Sequence, residues 1–128
     1  MTYEDLLNNS SKNECLSIYN KQSSQFFGSF VIELYYKNAI KIQFLNDRGI
    51  IEVSIIVPTL FSINVIPLKF AVDFVLGKER KNCIYTFSKL LDAYMFFMNN
   101  MQILDKIIEK NMLKKINYKW QTNTKGQF

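Results

Sequence analysis

The order of apolar and polar positions changes character twice along the chain. At the start, Thr2 precedes Glu4 and Asp5, and a hydroxyl group followed by negative charge is typical of the first turn of a helix. Apolar positions then recur on one side, although the asparagines and serines of residues 8–11 compete for backbone hydrogen bonds and weaken or split the helix. We predict one or two helical segments within residues 3–21.

The middle of the chain has the two-residue period of β-strands. Residues 26–36 are rich in aromatic and β-branched side chains, and apolar and polar positions alternate over 39–45 and over 50–57. Short polar turns separate these runs: the first lies at 37–38, and the second ends at Gly49, which tolerates a left-handed backbone. The pattern predicts an antiparallel meander of three strands.

A helical period returns in the second half of the chain. Residues 59–66 form a connection or a short edge strand, and Pro67 then suits the first turn of a helix that Gly77 closes. From Thr86 onwards apolar residues recur three and four positions apart, which predicts either one long helix or two helices joined near residues 99–100. Helices of this kind can cover one face of the sheet and stabilise it.

Together these elements predict a single α+β domain over residues 1–121, with an N-terminal helix, an antiparallel meander of three to four strands, and C-terminal helices packed on it. The chain has 128 residues, of which 48% are hydrophobic and 21% are charged. This length and composition allow a buried core and are unlike those of a disordered chain. Residues 122–128 have no pattern and are expected to form a flexible tail.

Composition narrows the possible chemistry. The chain contains no histidine, which removes the commonest general base and a frequent zinc ligand. Cys15 and Cys83 are far apart in sequence and lie in apolar surroundings, where buried thiols are more typical than a disulfide or a reactive thiol. The glycines are isolated and form no phosphate-binding loop. We therefore expect no enzyme activity, no metal, no cofactor and no small-molecule substrate.

The sequence also indicates a location. The N-terminus lacks the basic start and apolar stretch of a signal peptide. Charged residues interrupt the apolar runs, with Glu52 inside 50–57 and Lys69 and Asp73 inside 65–76, so that no run is long enough to cross a bilayer. We expect a cytoplasmic protein without membrane contact.

Three carboxylates could supply a site in the meander. Glu33, Asp47 and Glu52 lie on or between its strands, and two of them facing each other would form a general acid/base pair or a metal site. The alternative is a solvent-facing sheet surface on which Glu52 forms a cross-strand ion pair with Lys41. We favour the solvent-facing surface, because charged residues are normally exposed on half-buried sheets.

The excess positive charge lies towards the C-terminus. The net charge is +5, and residues 65–128 carry eleven basic and five acidic side chains. In the segment from Lys110 to Trp120, basic residues that include Lys114, Lys115 and Lys119 interleave with Tyr118 and Trp120, and such groups could contact phosphates and stack on bases. Alternatively, these lysines complement the negative end of a helix dipole while the tryptophan anchors the tail on the core. Nucleic-acid binding therefore remains the alternative function.

Three consecutive stretches carry a resemblance to a known class of proteins. They read Phe27-Gly-Ser-Phe-Val-Ile-Glu-Leu-Tyr-Tyr, Ile40-Lys-Ile-Gln-Phe-Leu-Asn-Asp-Arg-Gly-Ile-Ile-Glu-Val and Pro67-Leu-Lys-Phe-Ala-Val-Asp-Phe-Val-Leu. In this order of meander, tight polar turn and apolar helix, residues 26–77 resemble bacterial immunity proteins of contact-dependent growth inhibition and related polymorphic toxin systems.

This resemblance implies stoichiometric binding to the C-terminal domain of a cognate toxin, which in such systems is commonly a nuclease acting on transfer RNA or DNA. Two arrangements are open: either Glu33, Asp47 and Glu52 reach into the toxin while the basic half faces away, or the protein binds an acidic surface beside the toxin's active site. The positive charge of the second half favours the acidic surface. Turns and charged strand faces are frequent recognition sites. The candidate partner-binding residues are Glu33, Asp47, Arg48, Glu52, Lys114, Lys115, Lys119 and Trp120.

Overall fold

The computed structural model describes residues 1–24, 28–78 and 83–125, with the backbone alone at 124–125. The strands are β1 (Leu16–Ser23), β2 (Phe30–Tyr36), β3 (Ile40–Asp47), β4 (Ile50–Pro58) and β5 (Ile63–Pro67). The helices are α1 (Tyr3–Lys12), α2 (Leu68–Leu76), α3 (Leu90–Asn99), α4 (Met101–Glu109) and α5 (Leu113–Lys125). None of the helices in the described ranges is long and apolar enough to cross a membrane.

The five strands form one antiparallel sheet in the order β1-β2-β3-β4-β5. The predicted α+β class is therefore confirmed, although the meander has more strands than the three to four expected. Two tight turns contain a pair of residues with left-handed backbone. In the three-residue loop between Tyr36 and Ile40, φ is 51° at Lys37 and 54° at Asn38; in the two-residue loop between Asp47 and Ile50, φ is 56° at Arg48 and 91° at Gly49. These are the turns that the polar residues predicted.

The N-terminal segment differs from its prediction. Thr2 and Asp5 form a capping box at the start of α1, as expected of a helix start. The helix ends at Lys12, however, and β1 occupies much of the range predicted as helical. The apolar residues from Leu16 onwards fit a helical spacing, but pairing with β2 overrides that local preference. Strand β2 begins at Phe30, and residues 26–27 of its predicted range lie outside the described residues.

One face of the sheet carries the core. Side chains of β2 and β3 alternate between buried and half-buried, and the buried set packs against the helices; the rings of Phe44 on β3 and Phe97 on α3, for example, are 5.5 Å apart. All five helices contribute to this one core, through Leu6, Leu7, Leu68, Ala71, Val72, Leu90, Ala93, Phe97, Ile103, Leu104, Ile107 and Ile116. The opposite face carries mostly half-buried side chains on β2 and β3 and the buried Ser54 and Ile56 on β4; we call it the open face.

The C-terminal helices follow the second of the two predicted arrangements. Helices α3 and α4 are separate and meet at Asn100, whose side-chain amide donates to the carbonyl of Phe96 at 2.8 Å. Gly77 closes α2 in the left-handed conformation, with φ of 70°. Helix α5 continues through residues 122–125, so the predicted tail begins inside a helix, and residues 126–128 lie outside the described residues.

The edge of β4 is covered along two stretches. Strand β5 pairs with its second half. Near its start, Phe87 exchanges two backbone hydrogen bonds with Ile51, at 2.9 and 2.7 Å. Lys69 of α2 holds this segment in place, because its Nζ donates to the carbonyl of Ile84 at 3.0 Å and lies 4.0 Å from the centre of the Phe87 ring. The outer edge that remains on this side of the sheet belongs to β5.

Candidate partner-binding surfaces

A β-bulge in β1 gathers polar and aromatic groups on the open face. The pairing of β1 with β2 shifts register between Ile18 and Asn20, which leaves Tyr19 without a partner residue in the ladder. The Tyr19 ring makes an edge contact with Tyr35 at 5.4 Å, and Nζ of Lys41 lies 4.0 Å from its centre. Bulges redirect side chains in this way, and here the bulge places an aromatic ring over a strand lysine.

Glu33, one of the predicted binding residues, belongs to the same group. Its carboxylate accepts a hydrogen bond from the side-chain amide of Asn20 at 3.1 Å and lies 3.8 Å from Nζ of Lys41. The predicted ion pair between Lys41 and Glu52 is wrong, because the register places Glu52 opposite Leu45 and Lys41 opposite Ile56. Lys41 instead forms its ion pair with Glu33, its diagonal neighbour on β2.

The other three predicted charged positions of the meander lie at or near the β3–β4 turn. Asp47 and Arg48 are exposed at the β3–β4 turn, with 4.0 Å between the carboxylate and the guanidinium. Glu52 is half-buried on the open face nearby. Glu33 lies opposite Gln43 on β3, whereas Glu52 lies opposite Leu45, two residues further along the same strand. The meander therefore does not bring its carboxylates together as a pair.

The described residues contain no group of three Asp, Glu or Cys side chains placed to hold a metal ion. Cys15 and Cys83 are both half-buried and are not joined in a disulfide, so the expectation of buried thiols is only partly met.

The β4–β5 hairpin presents apolar residues at its tip. The Thr59 amide donates to the carbonyl of Ser62 at 2.7 Å, and the Ser62 amide donates to Oγ1 of Thr59 at 3.0 Å. These bonds close the turn and direct Leu60 and Phe61 into solvent, where 88% and 94% of their surfaces are exposed. Because Leu60 and Phe61 are almost fully exposed, they contribute little to the stability of the fold.

Strand β5 continues this apolar surface along the sheet edge. Ile63 and Val65 lie on the open face and are 70% and 42% exposed. The hairpin closes on a hydrogen-bonded pair at residues 59 and 62, and bonded pairs recur at every second position of an antiparallel ladder. Asn64 therefore bonds to β4, whereas the amides and carbonyls of Ile63 and Val65 point away from it. We call Leu60, Phe61, Ile63 and Val65 the hairpin surface.

Helix α5 lies beside this edge and divides the predicted basic site. Asn117 of α5 accepts a hydrogen bond from the side-chain amide of Asn64 at 3.0 Å. Trp120, predicted to bind a partner, is half-buried and packs edge-on against Phe70 at 4.9 Å and Tyr85 at 5.7 Å. The indole therefore packs α5 against the core, which agrees with the second of the two alternatives that the sequence offered for Trp120.

The lysines of α5 have a different setting from the tryptophan. Lys114 and Lys115 are exposed, Lys119 is half-buried, and the exposed aromatic residue beside them is Tyr118. Residues three and four apart share a helix face, so Lys114, Lys115 and Tyr118 form one surface stripe. The predicted basic character of α5 is therefore present, and of the two aromatic residues in this segment Tyr118 is exposed whereas Trp120 is half-buried.

A buried tyrosine ties the β2–β3 turn to α4. The Tyr36 hydroxyl donates to the Asp105 carboxylate at 2.7 Å, and Nζ of Lys37 donates to the same oxygen at 2.8 Å. Burial, followed by the bond to Asp105, raises the pKa of Tyr36 to about 12. The bonds from Lys37 and then Tyr36 lower the pKa of Asp105, and its carboxylate raises the pKa of Lys37. We call these three residues the latch, and its role is to hold the fold together.

The hairpin surface was missed by the sequence analysis. Residues 59–66 were correctly allowed to be an edge strand, but the exposure of Leu60 and Phe61 was not considered. A signal was present, because two large apolar residues stand between Thr59 and Ser62, where a tight turn normally carries polar residues or glycine.

No family model matches the chain, and neither a curated protein nor a solved structure is similar enough to be matched to it.

Proposed function

We propose that this protein is an immunity protein, which neutralises a cognate bacterial toxin domain by forming a stoichiometric complex with it. The observation that supports this proposal is the hairpin surface, whose four large apolar side chains are all exposed within six consecutive residues of one hairpin. Contiguous exposed apolar patches are uncommon on monomeric proteins and often mark interaction sites. A protein whose task is to bind another protein explains this exposure.

The proposal also draws on the resemblance of residues 26–77 to immunity proteins of contact-dependent growth inhibition. The partner is then the C-terminal domain of a toxin, and a nuclease acting on transfer RNA or DNA is the expected class. The basic stripe of Lys114, Lys115 and Tyr118 on α5 lies on the other side of the β5 edge, where α5 is joined to β5 by the Asn64–Asn117 bond. An apolar centre flanked by charge is the usual composition of a specific interface, in which charge speeds association and discriminates between partners.

Nucleic-acid binding is the second candidate, and one observation favours it. Lys114, Lys115 and Tyr118 are exposed on one face of α5, and lysines beside an aromatic ring can contact phosphates and stack on a base. The position of Trp120 in the core weakens this candidate, since it removes one of the two aromatic residues that the segment offers.

The test uses the full chain with an affinity tag in its native host, together with the product of the gene immediately upstream. We expect one toxin-like domain to co-purify in a fixed ratio, and growth to be restored when both proteins are expressed together. Growth that is not restored, with recovery of nucleic acid that salt releases, would overturn the proposal in favour of the second candidate.

A further inference from the structure

Strand β5 has an outer edge on which a further strand can form. It is the last strand of the sheet, and in the described part of the chain it pairs with β4 alone. The amides and carbonyls of Ile63 and Val65 face outwards, and an additional strand could exchange hydrogen bonds with both residues. The apolar side chains of these residues on the open face would contact the side chains of such a strand.

The opposite side of this edge has a different character, because α5 lies there. Asn64 reaches α5 through its bond to Asn117. Lys114 and Gln121 precede and follow Asn117 by about one turn, and Tyr118 is the next residue. Between Leu113 and Lys125 the helix contains lysines and no acidic residue. A strand that pairs with β5 therefore meets apolar groups on one face and positive charge on the other.

We infer that β5 receives an extended segment of the partner whose side chains alternate between apolar and acidic residues. The apolar set would lie beside Ile63 and Val65, and the acidic set would face Lys114 of α5. This inference rests on the proposed function, since the segment would belong to the toxin domain. It adds the mode of recognition, main-chain pairing with alternating side-chain selection.

Charge argues against a second copy of this chain as the occupant. Antiparallel pairing of two β5 strands would bring together two α5 helices that both carry lysines without acidic residues. Like charges in close contact are unfavourable, whereas an acidic segment neutralises the same lysines. Dimer formation through β5 is therefore an outcome that would contradict the inference.

The inference can be tested with a short synthetic peptide of alternating glutamate and valine, compared with a lysine–valine peptide of equal length. Amide hydrogen exchange of the full chain is followed by nuclear magnetic resonance. We expect the glutamate peptide to slow exchange at Ile63 and Val65 by at least about tenfold. The lysine peptide should have no such effect, and the amide of Lys21 on β1 should not change.

Three variants, one of them a control, separate main-chain pairing from charge. Val65→Pro removes one outward amide at a position where proline is tolerated in edge strands. It should abolish the slowing of exchange that the glutamate peptide causes at the remaining Ile63 amide. Lys21→Pro removes an amide of the opposite edge strand and should leave the protection intact. Lys114→Glu keeps the whole backbone of β5 and should reverse the preference between the two peptides. Thermal unfolding of each variant confirms that it is folded.

Three results would overturn the inference: no slowing up to the solubility limit of the glutamate peptide, equal slowing by both peptides, or a concentration-dependent dimer through β5. None of them decides the proposed function, because the growth test with the toxin does not depend on the peptide. Conversely, a protein that binds the peptide but does not restore growth would keep its strand-binding edge and lose its assignment as an immunity protein.

Discussion

The two edge strands of the sheet differ in the features that control pairing with another strand. Strand β1 carries a bulge at Tyr19 and an exposed Lys21, and both features hinder the addition of a strand. Strand β5 pairs regularly with β4 and exposes Ile63 and Val65 instead. The same sheet therefore has one protected edge and one open edge.

If the protein binds a partner as proposed, this difference indicates where the partner is bound. An exposed, regular and apolar edge strand is an aggregation hazard, and β1 shows that this fold can protect an edge. An unprotected β5 is explained if a partner covers it. On this account, changes at the β5 end should affect binding with little effect on stability, and changes at the β1 end should affect stability or self-association.

The largest effect is expected from replacing both residues of the hairpin tip. Leu60→Ser with Phe61→Ser should weaken binding of the toxin domain by about 1,000-fold, if each residue contributes about 2 kcal/mol as interface hot spots do. The free energy of unfolding should change by less than about 0.5 kcal/mol, because both side chains are exposed. Titration calorimetry and urea unfolding measure the two quantities.

A matched control is available for the tip variant. Ile84 is also apolar and 73% exposed, but it lies in the segment that pairs with the opposite end of β4. Ile84→Ser should leave binding unchanged. If the control weakens binding as much as the tip variant does, exposed apolar surface in general, and not the hairpin surface, carries the interaction.

The second effect concerns the protected edge. Deleting Tyr19 should restore a regular ladder, since the remaining residues of β1 already pair with β2 in register on both sides of the bulge. We expect a loss of about 1–2 kcal/mol from the contacts with Tyr35 and Lys41, together with concentration-dependent association. Urea unfolding and sedimentation velocity detect these changes, and a variant that stays monomeric would show that the bulge does not protect this edge.

The latch should influence stability without influencing binding. Tyr36→Phe removes the bond to Asp105 and should cost about 1–2 kcal/mol, as measured by urea unfolding. Tyr118→Phe, at an exposed tyrosine, should cost nothing measurable. A comparable loss of toxin binding in the Tyr36 variant would place part of the interface at the latch.

The same variant predicts a pH dependence. The pKa of Tyr36 is raised from 10.0 to about 12 in the folded protein, so its contribution is complete below the unfolded value and is lost as the pH rises through the folded value. The wild-type free energy of unfolding should therefore fall between these two pH values, and Tyr36→Phe should show a smaller fall. Lys37, whose pKa is also raised, accounts for a remaining slope in the same direction.

The smallest effect is expected at the predicted acidic face. Glu33→Gln removes the negative charge that lies 3.8 Å from Nζ of Lys41, but it keeps a side-chain oxygen that can accept the hydrogen bond from the Asn20 amide. Partly exposed ion pairs contribute about 0.5 kcal/mol, and toxin binding should change by less than about threefold. A large loss of binding, measured by the same calorimetry, would instead restore Glu33 to the interface that the sequence suggested.

The alternation of side chains in β3 and β4 predicted which of their residues form the core, because each of these strands directs alternate residues into it; β2 was predicted from its aromatic and β-branched content alone. The same reasoning failed for β1, where the spacing of Leu16 and Tyr19 fits a helix as well as a strand and only pairing with β2 decides between them. It also allowed two states for residues 59–66. The sequence pattern of one segment does not show which other strand will pair with it.

The candidate surfaces were harder to predict for a related reason. The basic character of α5 follows from composition, whereas the burial of Trp120 depends on Phe70 and Tyr85, which are distant in sequence. The ion pair of Lys41 depended on register, and register placed Glu33 rather than Glu52 beside it. Exposure at the hairpin tip is a property of the assembled sheet.

The most direct test of β5 as the partner-binding edge is amide hydrogen exchange of the chain alone and in complex with the proposed partner, the toxin domain identified by the growth test. The account predicts that exchange slows at Ile63 and Val65, and in the hairpin around Phe61, while Lys21 on the opposite edge is unaffected. Protection confined to β1, to the turn at Arg48 or to α5 would contradict the assignment of β5 as the partner-binding edge.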